Sequence, residues 1–272
     1  MPLRARARRA PQAWSSAEVA ARFPKAARGG TASLAFAYWL TFYGGFAAYV
    51  AGYVPAWAFA FFGFFVFIRY FDLTHEEIHR RDDGSRAWDL LRTVFSVSGP
   101  LQLGYTQIAR NHRLHHALDG TPRDPDAWLV RGPMPVALFH CLTQPEQAAV
   151  RYLKANGIDR RLAFDLVLNF SIWCGLAYAC TWPQFLLYNA VVRVGNGASW
   201  FVFTHVLHRA ALYSSVAPLP IPAWLRAAWL ALIGRNNLNA ITYHFLHHSY
   251  GFVPARALPA LSDAITQGPR ST

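Results

Sequence analysis

From Gly29 to Ile68 no residue is charged, a run of forty positions. The hydrocarbon core of a bilayer, about 30 Å thick, is crossed by about twenty helical residues, so the run is long enough to cross and return. Gly52 and Pro55 mark the turn, which predicts helices over 34–52 and 55–71. A second apolar block over 162–204, divided at Thr181-Trp182-Pro183, predicts helices over 162–180 and 184–204. No segment alternates in the manner of a strand. The pattern predicts an all-α chain, an integral membrane bundle of four helices arranged as two tight hairpins.

Composition agrees. A hydrophobic fraction of 54% with 15% charged residues is unusually apolar for a soluble protein. The net charge of +12 is unevenly placed: Arg4, Arg6, Arg8, Arg9, Arg22, Lys25 and Arg28 all precede the first apolar run. Most of the remaining positive residues lie between the apolar blocks or after the second. That is the distribution of a positive-inside membrane protein, and it argues against a nucleic-acid partner. The basic stretch lacks the apolar core of a cleaved signal, although its Arg/Ala-rich, acid-poor composition resembles a transit peptide. Residues 1–33 are expected to form a flexible basic segment, 34–265 one membrane domain, and 266–272 a frayed end. Cys141, Cys174 and Cys180 have no metal-type spacing, and Cys174 and Cys180 read as small core residues.

Ten of the eleven histidines fall in four short clusters: His75/His79, His112/His115/His116, His205/His208 and His244/His247/His248. Within each the spacing is three or four residues, which on a helix places the imidazoles on one face. With the basic N-terminus inside, the first hairpin returns at His75/His79 and the second at His205/His208. The intervening segment and the C-terminal segment then stay inside as well. All four clusters meet on the cytoplasmic face as a histidine-rich helical cap.

Ten imidazoles exceed the needs of one ion, and two ions are the natural count. His75-Glu76-Glu77-Ile78-His79 also matches the H-E-x-x-H pattern of zinc proteases, with Glu76 as general base and Asp119 as a possible acidic ligand. That alternative leaves most of the histidines unused, and a non-catalytic zinc-binding membrane protein is a further one. Neutral imidazoles holding two redox-active ions beside an apolar bundle suit the oxidation of an unactivated hydrocarbon. Zinc cannot change oxidation state whereas iron can, so two iron ions are expected, with zinc as a possible substitute in a structure.

The spaced boxes resemble those of the membrane fatty acid desaturase superfamily, which includes acyl desaturases, lipid and alkane hydroxylases, and carotenoid ketolases and hydroxylases. The resemblance rests on H-x3-H at 75–79, H-x2-H-H at 112–116 and H-x2-H-H at 244–248. Gly120-Thr121, Asp124-Pro125-Asp126, Phe203-Thr204-His205, the run from Tyr243 to Pro254, and Arg256-Ala257-Leu258-Pro259 extend it. It covers about 35 to 265. It implies a membrane-bound, O2-dependent di-iron oxidoreductase acting on a lipid or other long hydrocarbon, with fatty acyl desaturation favoured over hydroxylation or ketolation. It implies metal ligands from all four clusters and no catalytic residue beyond them. One of His205 and His208 is expected to be a ligand and the other to support it. Two departures are this pair of histidines and Glu76, where many relatives carry Asp. No flavin, haem or dinucleotide motif is present, so a separate electron donor, ferredoxin or cytochrome b5-like, is implied.

Supporting roles are expected for Asp124 and Asp126, which can orient imidazoles by accepting a ring N–H, and for Asn239. Asp119 reads as a solvated turn residue and His140 as a hydrogen-bonded structural histidine. Asn189, Arg193 and Asn196, with Asn169, line a tunnel or bond between helices. The phenylalanines Phe59, Phe61, Phe62, Phe64 and Phe65 are expected to face lipid.

Overall fold

The computed structural model describes residues 14–23, 30–79, 86–95, 99–119, 121–129, 131–209 and 216–267. Gly120, most of the basic N-terminal residues, and 268–272 within the expected frayed end lie outside them. Among the described residues the chain is all-helical, with no strand. The helices are α1 (Ser16–Arg22), α2 (Gly30–Val50), α3 (Ala56–His79), α4 (Arg86–Phe95), α5 (Tyr105–Leu118), α6 (Met134–Leu142) and α7 (Gln144–Asn156). They continue with α8 (Arg160–Ala179), α9 (Trp182–Trp200), α10 (Leu207–Arg209), α11 (Ala223–Leu232), α12 (Arg235–Thr242), α13 (His244–Ser249) and α14 (Leu258–Gln267).

The four helices expected from the apolar blocks form as α2, α3, α8 and α9. Gly52 turns the first hairpin at φ 81°, a backbone state that strains residues with a Cβ. The second turn starts α9 with a capping box between Thr181 and Gln184 and with Pro183 in the first turn. α3 extends beyond the expected 55–71, so the first histidine pair sits on its last turns. Among the described residues, α3 and α8 are long and apolar enough to cross a membrane. α2 interleaves Tyr, Trp and Thr with its apolar residues, and α9 carries Asn189, Arg193 and Asn196, so neither joins them. The apolar window of α8 is only 17% buried and that of α3 39%, the reverse of a core helix in a water-soluble domain.

α3 is the central helix, packed on α2 and on α9 through Phe42, Phe46, Phe59, Phe67, Tyr188, Val191 and Val192. Phe59 therefore belongs to the core and not to the outer surface, whereas Phe61 and Phe62 face outward as expected. The hydroxyls of Tyr43 and Tyr188 meet at 3.1 Å inside this aromatic cluster. Arg69, the first charge after the apolar run, finds its partners at the end of another helix. Its Nε and Nη2 donate to the carbonyls of Leu232 and Ala231 at 3.0 and 2.8 Å, closing the C-terminus of α11.

Two expectations change at the periphery. Residues 14–23, assigned to a flexible basic segment, form α1 and dock on the C-terminal helices, because Trp14 and Val19 supply apolar side chains that bury beside Leu246 and Leu258. The Tyr250 hydroxyl donates to the Trp14 carbonyl at 2.9 Å. Cys174 is exposed and Cys180 only partly covered, since α8 turns most of its surface outward; Cys141 is buried.

The polar residues of α9 divide. Asn189 accepts from Trp173 Nε1 at 3.0 Å across to α8. Arg193 pairs with Glu146 of α7 and donates to the Leu142 carbonyl. Asn169 of α8 donates to the Gln102 carbonyl at 2.9 Å. Asn196 lines a cavity instead.

Small residues let α3 and α9 approach. A Cβ on Gly195 would lie 2.7 Å from Phe67. Gly195→Val is expected to destabilise the fold by about 1–3 kcal/mol through overpacking. Gly175→Val, where nothing lies within 4 Å, should cost clearly less. Unfolding midpoints of the two purified variants in detergent check this.

Candidate metal centre

Four elements bring the histidines together. His75 and His79 are one turn apart on α3, and His112 and His116 one turn apart on α5, with His115 beside them. α13 carries His244, His247 and His248. The fourth element is α10 with His208, reached from α9 through a π-helical stretch, Phe201–Val206. Its wider turn separates two residues that an α-helix would place on one face. His205 stacks on Phe201 with ring centroids 5.0 Å apart. His208, after the stretch, points into the cluster.

The imidazoles close into two groups. In the first, one ring nitrogen each from His75, His79, His112, His116 and His247 lies within 4.8 Å of all the others. In the second, His115, His208 and His248 are joined by Asp119 under the same limit. Rings of the two groups touch, with His116 and His248 stacked at 4.0 Å, so the groups are adjacent. Each can hold a metal ion.

The nitrogen geometry fits that use. His112 Nε2 lies 2.9 Å from His79 Nε2 and 3.0 Å from His116 Nε2. Two nitrogens each about 2.1 Å from one ion and at right angles are about 3.0 Å apart. Nε2 of His247, in the same group, is buried without a hydrogen-bond partner among the described residues. Burial holds His112, His116, His244, His247 and His248 well below the usual histidine range, which keeps them neutral and leaves a lone pair for a metal.

Carboxylates gather around the second group. His115 Nδ1 donates to Asp124 Oδ1 at 2.9 Å, which fixes the tautomer and leaves Nε2 free to ligate. Burial pulls His115 down, but the hydrogen bond to Asp124 and the charges of Asp126, Asp124 and Asp119 outweigh it and raise the group. The backbone N–H of Asp126 donates to Asp124 Oδ1 at 2.8 Å and holds that carboxylate in place. Burial lifts Asp126 itself to about 6, with His115 opposing and Asp124 adding to the rise. Asp119 Oδ1 lies 3.1 Å from His208 Nδ1, and Oδ2 lies 3.7 Å from His248 Nδ1.

The sequence places Asp119 in a solvated turn, and the structure places it in the second group. The signal was its position, one turn of helix past His115 at the C-cap of α5. His244 stands beside this group, its Nε2 3.3 Å from His208 Nε2. His205 joins neither group. Asn239 is buried on α12 and makes no hydrogen bond to a histidine among the described residues; its neighbour Asn237 instead accepts from Trp229 at 2.8 Å. His140 Nδ1 donates to the Trp128 carbonyl at 3.1 Å, away from both groups. Glu76 accepts from Asn236 at 3.3 Å.

A mostly apolar cavity of about 70 Å³, partly open to the outside, reaches the first group. Its wall follows α3 from Phe67 to Ile78, roughly 16 Å of helix, and includes His75 and His112. Leu103, Ile108, Ala148 and Trp200 complete much of the lining.

No family model, curated protein or solved structure matches this chain.

If Asp119 belongs to the second group, Asp119→Asn should weaken one metal site and spare the other. Titration of the purified chain with cobalt(II), followed by ligand-field absorption, should show two equivalents for the parent chain and one tight equivalent for the variant. His205→Phe should retain both.

Proposed function

We propose that this chain is a membrane-integral, O2-dependent di-iron oxidoreductase of the fatty acid desaturase superfamily that oxidises an unactivated carbon of a lipid chain. Fatty acyl desaturation is the favoured reaction, and hydroxylation or ketolation follows from the same site with a different outcome at the second hydrogen. The observation that carries the reading is the placement of the first histidine group, with the second beside it, at an apolar cavity. Polar metal-binding chemistry and a mostly apolar cavity meet at His75 and His112.

In this reading α2, α3, α8 and α9 span the bilayer, and the histidine cap lies at its cytoplasmic face. The outward apolar surface of α8, with Phe164, Val167 and Phe170 exposed, supports it. So does the mixed arrangement of buried imidazoles below an aromatic core, which suits a substrate entering from lipid.

The residues divide the work. His75, His79, His112, His116 and His247 would hold one iron, and His115, His208, His248 and Asp119 the other, with His244 adjacent. When bound, the pair supplies the oxidising power that a C–H bond of an alkyl chain demands and that no acid–base pair of side chains provides. Phe67, Phe71, Leu103 and Trp200 exclude water and hold the chain extended against the first group. Asp124 keeps His115 in the tautomer that ligates. Electrons come from a separate donor protein, ferredoxin or cytochrome b5-like. The zinc-protease alternative finds no comparable support. A hydrolytic zinc uses about three protein ligands, which leaves the second group without a purpose.

Expression in a host with a defined lipid and pigment profile tests the proposal. Extracted lipids should lose hydrogen or gain oxygen at one chain position, and the purified chain should carry two irons. His112→Ala, His115→Ala and His247→Ala should each reduce turnover at least about a thousand-fold while the chain stays membrane-inserted, because removing a metal ligand removes the oxidant. Full activity in all three variants would overturn the assignment.

A further inference from the structure

We propose that the molecule held in the apolar cavity is a hydrocarbon carrying a neutral oxygen acceptor, and that Asn196 binds that oxygen through its side-chain N–H. The inference rests on the hydrocarbon-oxidation reading and narrows its substrate class.

Asn196 lies on α9, one turn before Trp200, and both line the cavity that includes His75 and His112. It is only 5% exposed, and its Nδ2 has no acceptor among the described residues. The other polar residues on that helix are used differently, since Asn189 bonds to Trp173 and Arg193 to Glu146. Asn196 is the one whose amide donor remains for something outside the fold. Buried donors are rarely left unpaired, because desolvating an N–H without replacing its hydrogen bond is costly. In a wall otherwise largely apolar, the group that completes it is an acceptor on the ligand.

Charge decides what kind of acceptor. Among the described residues no lysine or arginine lines the cavity. Arg193, the nearest cation along the helix, is engaged by the Glu146 carboxylate and the Leu142 carbonyl. A carboxylate or phosphate placed beside Asn196 would be desolvated with no cationic side chain there to pair with it, a larger cost than a ketone or ester carbonyl incurs. A bond from Asn196 to such an oxygen also fixes how far the chain slides along α3. It therefore sets which carbon faces His75 and His112.

The test is direct binding to the purified full-length chain, measured by native mass spectrometry. The probes are octadecane, octadecanones with the carbonyl moved along the chain, methyl octadecanoate and octadecanoate. At least one ketone or the ester should bind about ten-fold tighter than octadecane, the advantage of one recovered hydrogen bond to a buried donor. The winning probe identifies the source, an internal carbonyl or a terminal ester. In Asn196→Leu that preference should fall to about two-fold or less while octadecane binding persists.

Equal binding of octadecane and every carbonyl compound by the parent chain would overturn the inference and leave the cavity reading standing. So would an undiminished preference in Asn196→Leu, or preferential binding of octadecanoate. Failure of all probes to bind, octadecane included, would sink the hydrocarbon-cavity reading itself.

Discussion

Mutual burial of neutral imidazoles is the constraint on which the rest of the structure depends. A polar ring removed from water must recover its lost hydrogen bonds, and here ring nitrogens face one another at 2.9 and 3.0 Å instead of facing ordinary partners. Lone pairs turned toward a shared point repel unless a positive charge sits between them. Helices α3, α5, α10 and α13 bring the ring nitrogens together where a shared N–H or a metal ion could sit between them. The aromatic core of α2, α3 and α9 provides the stiffness that keeps this arrangement from relaxing.

The two groups are not electrically equivalent. The first has five imidazoles and no carboxylate among its members, while the second includes Asp119 and is backed by Asp124 and Asp126. An ion in the second group would be better neutralised and would have its imidazoles held more firmly in one tautomer. The apolar cavity opens on the other group, at His75 and His112. The carboxylate-backed half and the half that opens on the cavity are thus different halves of one cluster.

Much of this was legible in the sequence, for identifiable reasons. A charge-free run of forty residues and a second apolar block announce helices, and i, i+3 and i, i+4 spacing puts histidines on common faces. What escaped depends on contacts between distant segments. The π-helical stretch decides between His205 and His208, and nothing in Phe201–Val206 signals a widened turn. Asp119 looks like any polar residue at a helix end until α10 and α13 bring His208 and His248 to it. Phe59 and Phe61 are the same residue type two positions apart, and only the packing of α2 separates core from surface. The docking of α1 was hidden beneath the arginines around Trp14 and Val19.

That docking has a consequence for how the protein is made. The Tyr250 hydroxyl is bonded to the Trp14 carbonyl across 236 positions, and the last histidine helix packs in the same cluster as α1. A ribosome-bound chain lacking its final quarter could form the aromatic core yet would miss His244, His247, His248 and the surface on which α1 rests. Completion of both groups thereby waits for the C-terminal helices: a chain lacking them keeps His75, His79, His112 and His116 but loses His247 from the first group and His208 and His248 from the second.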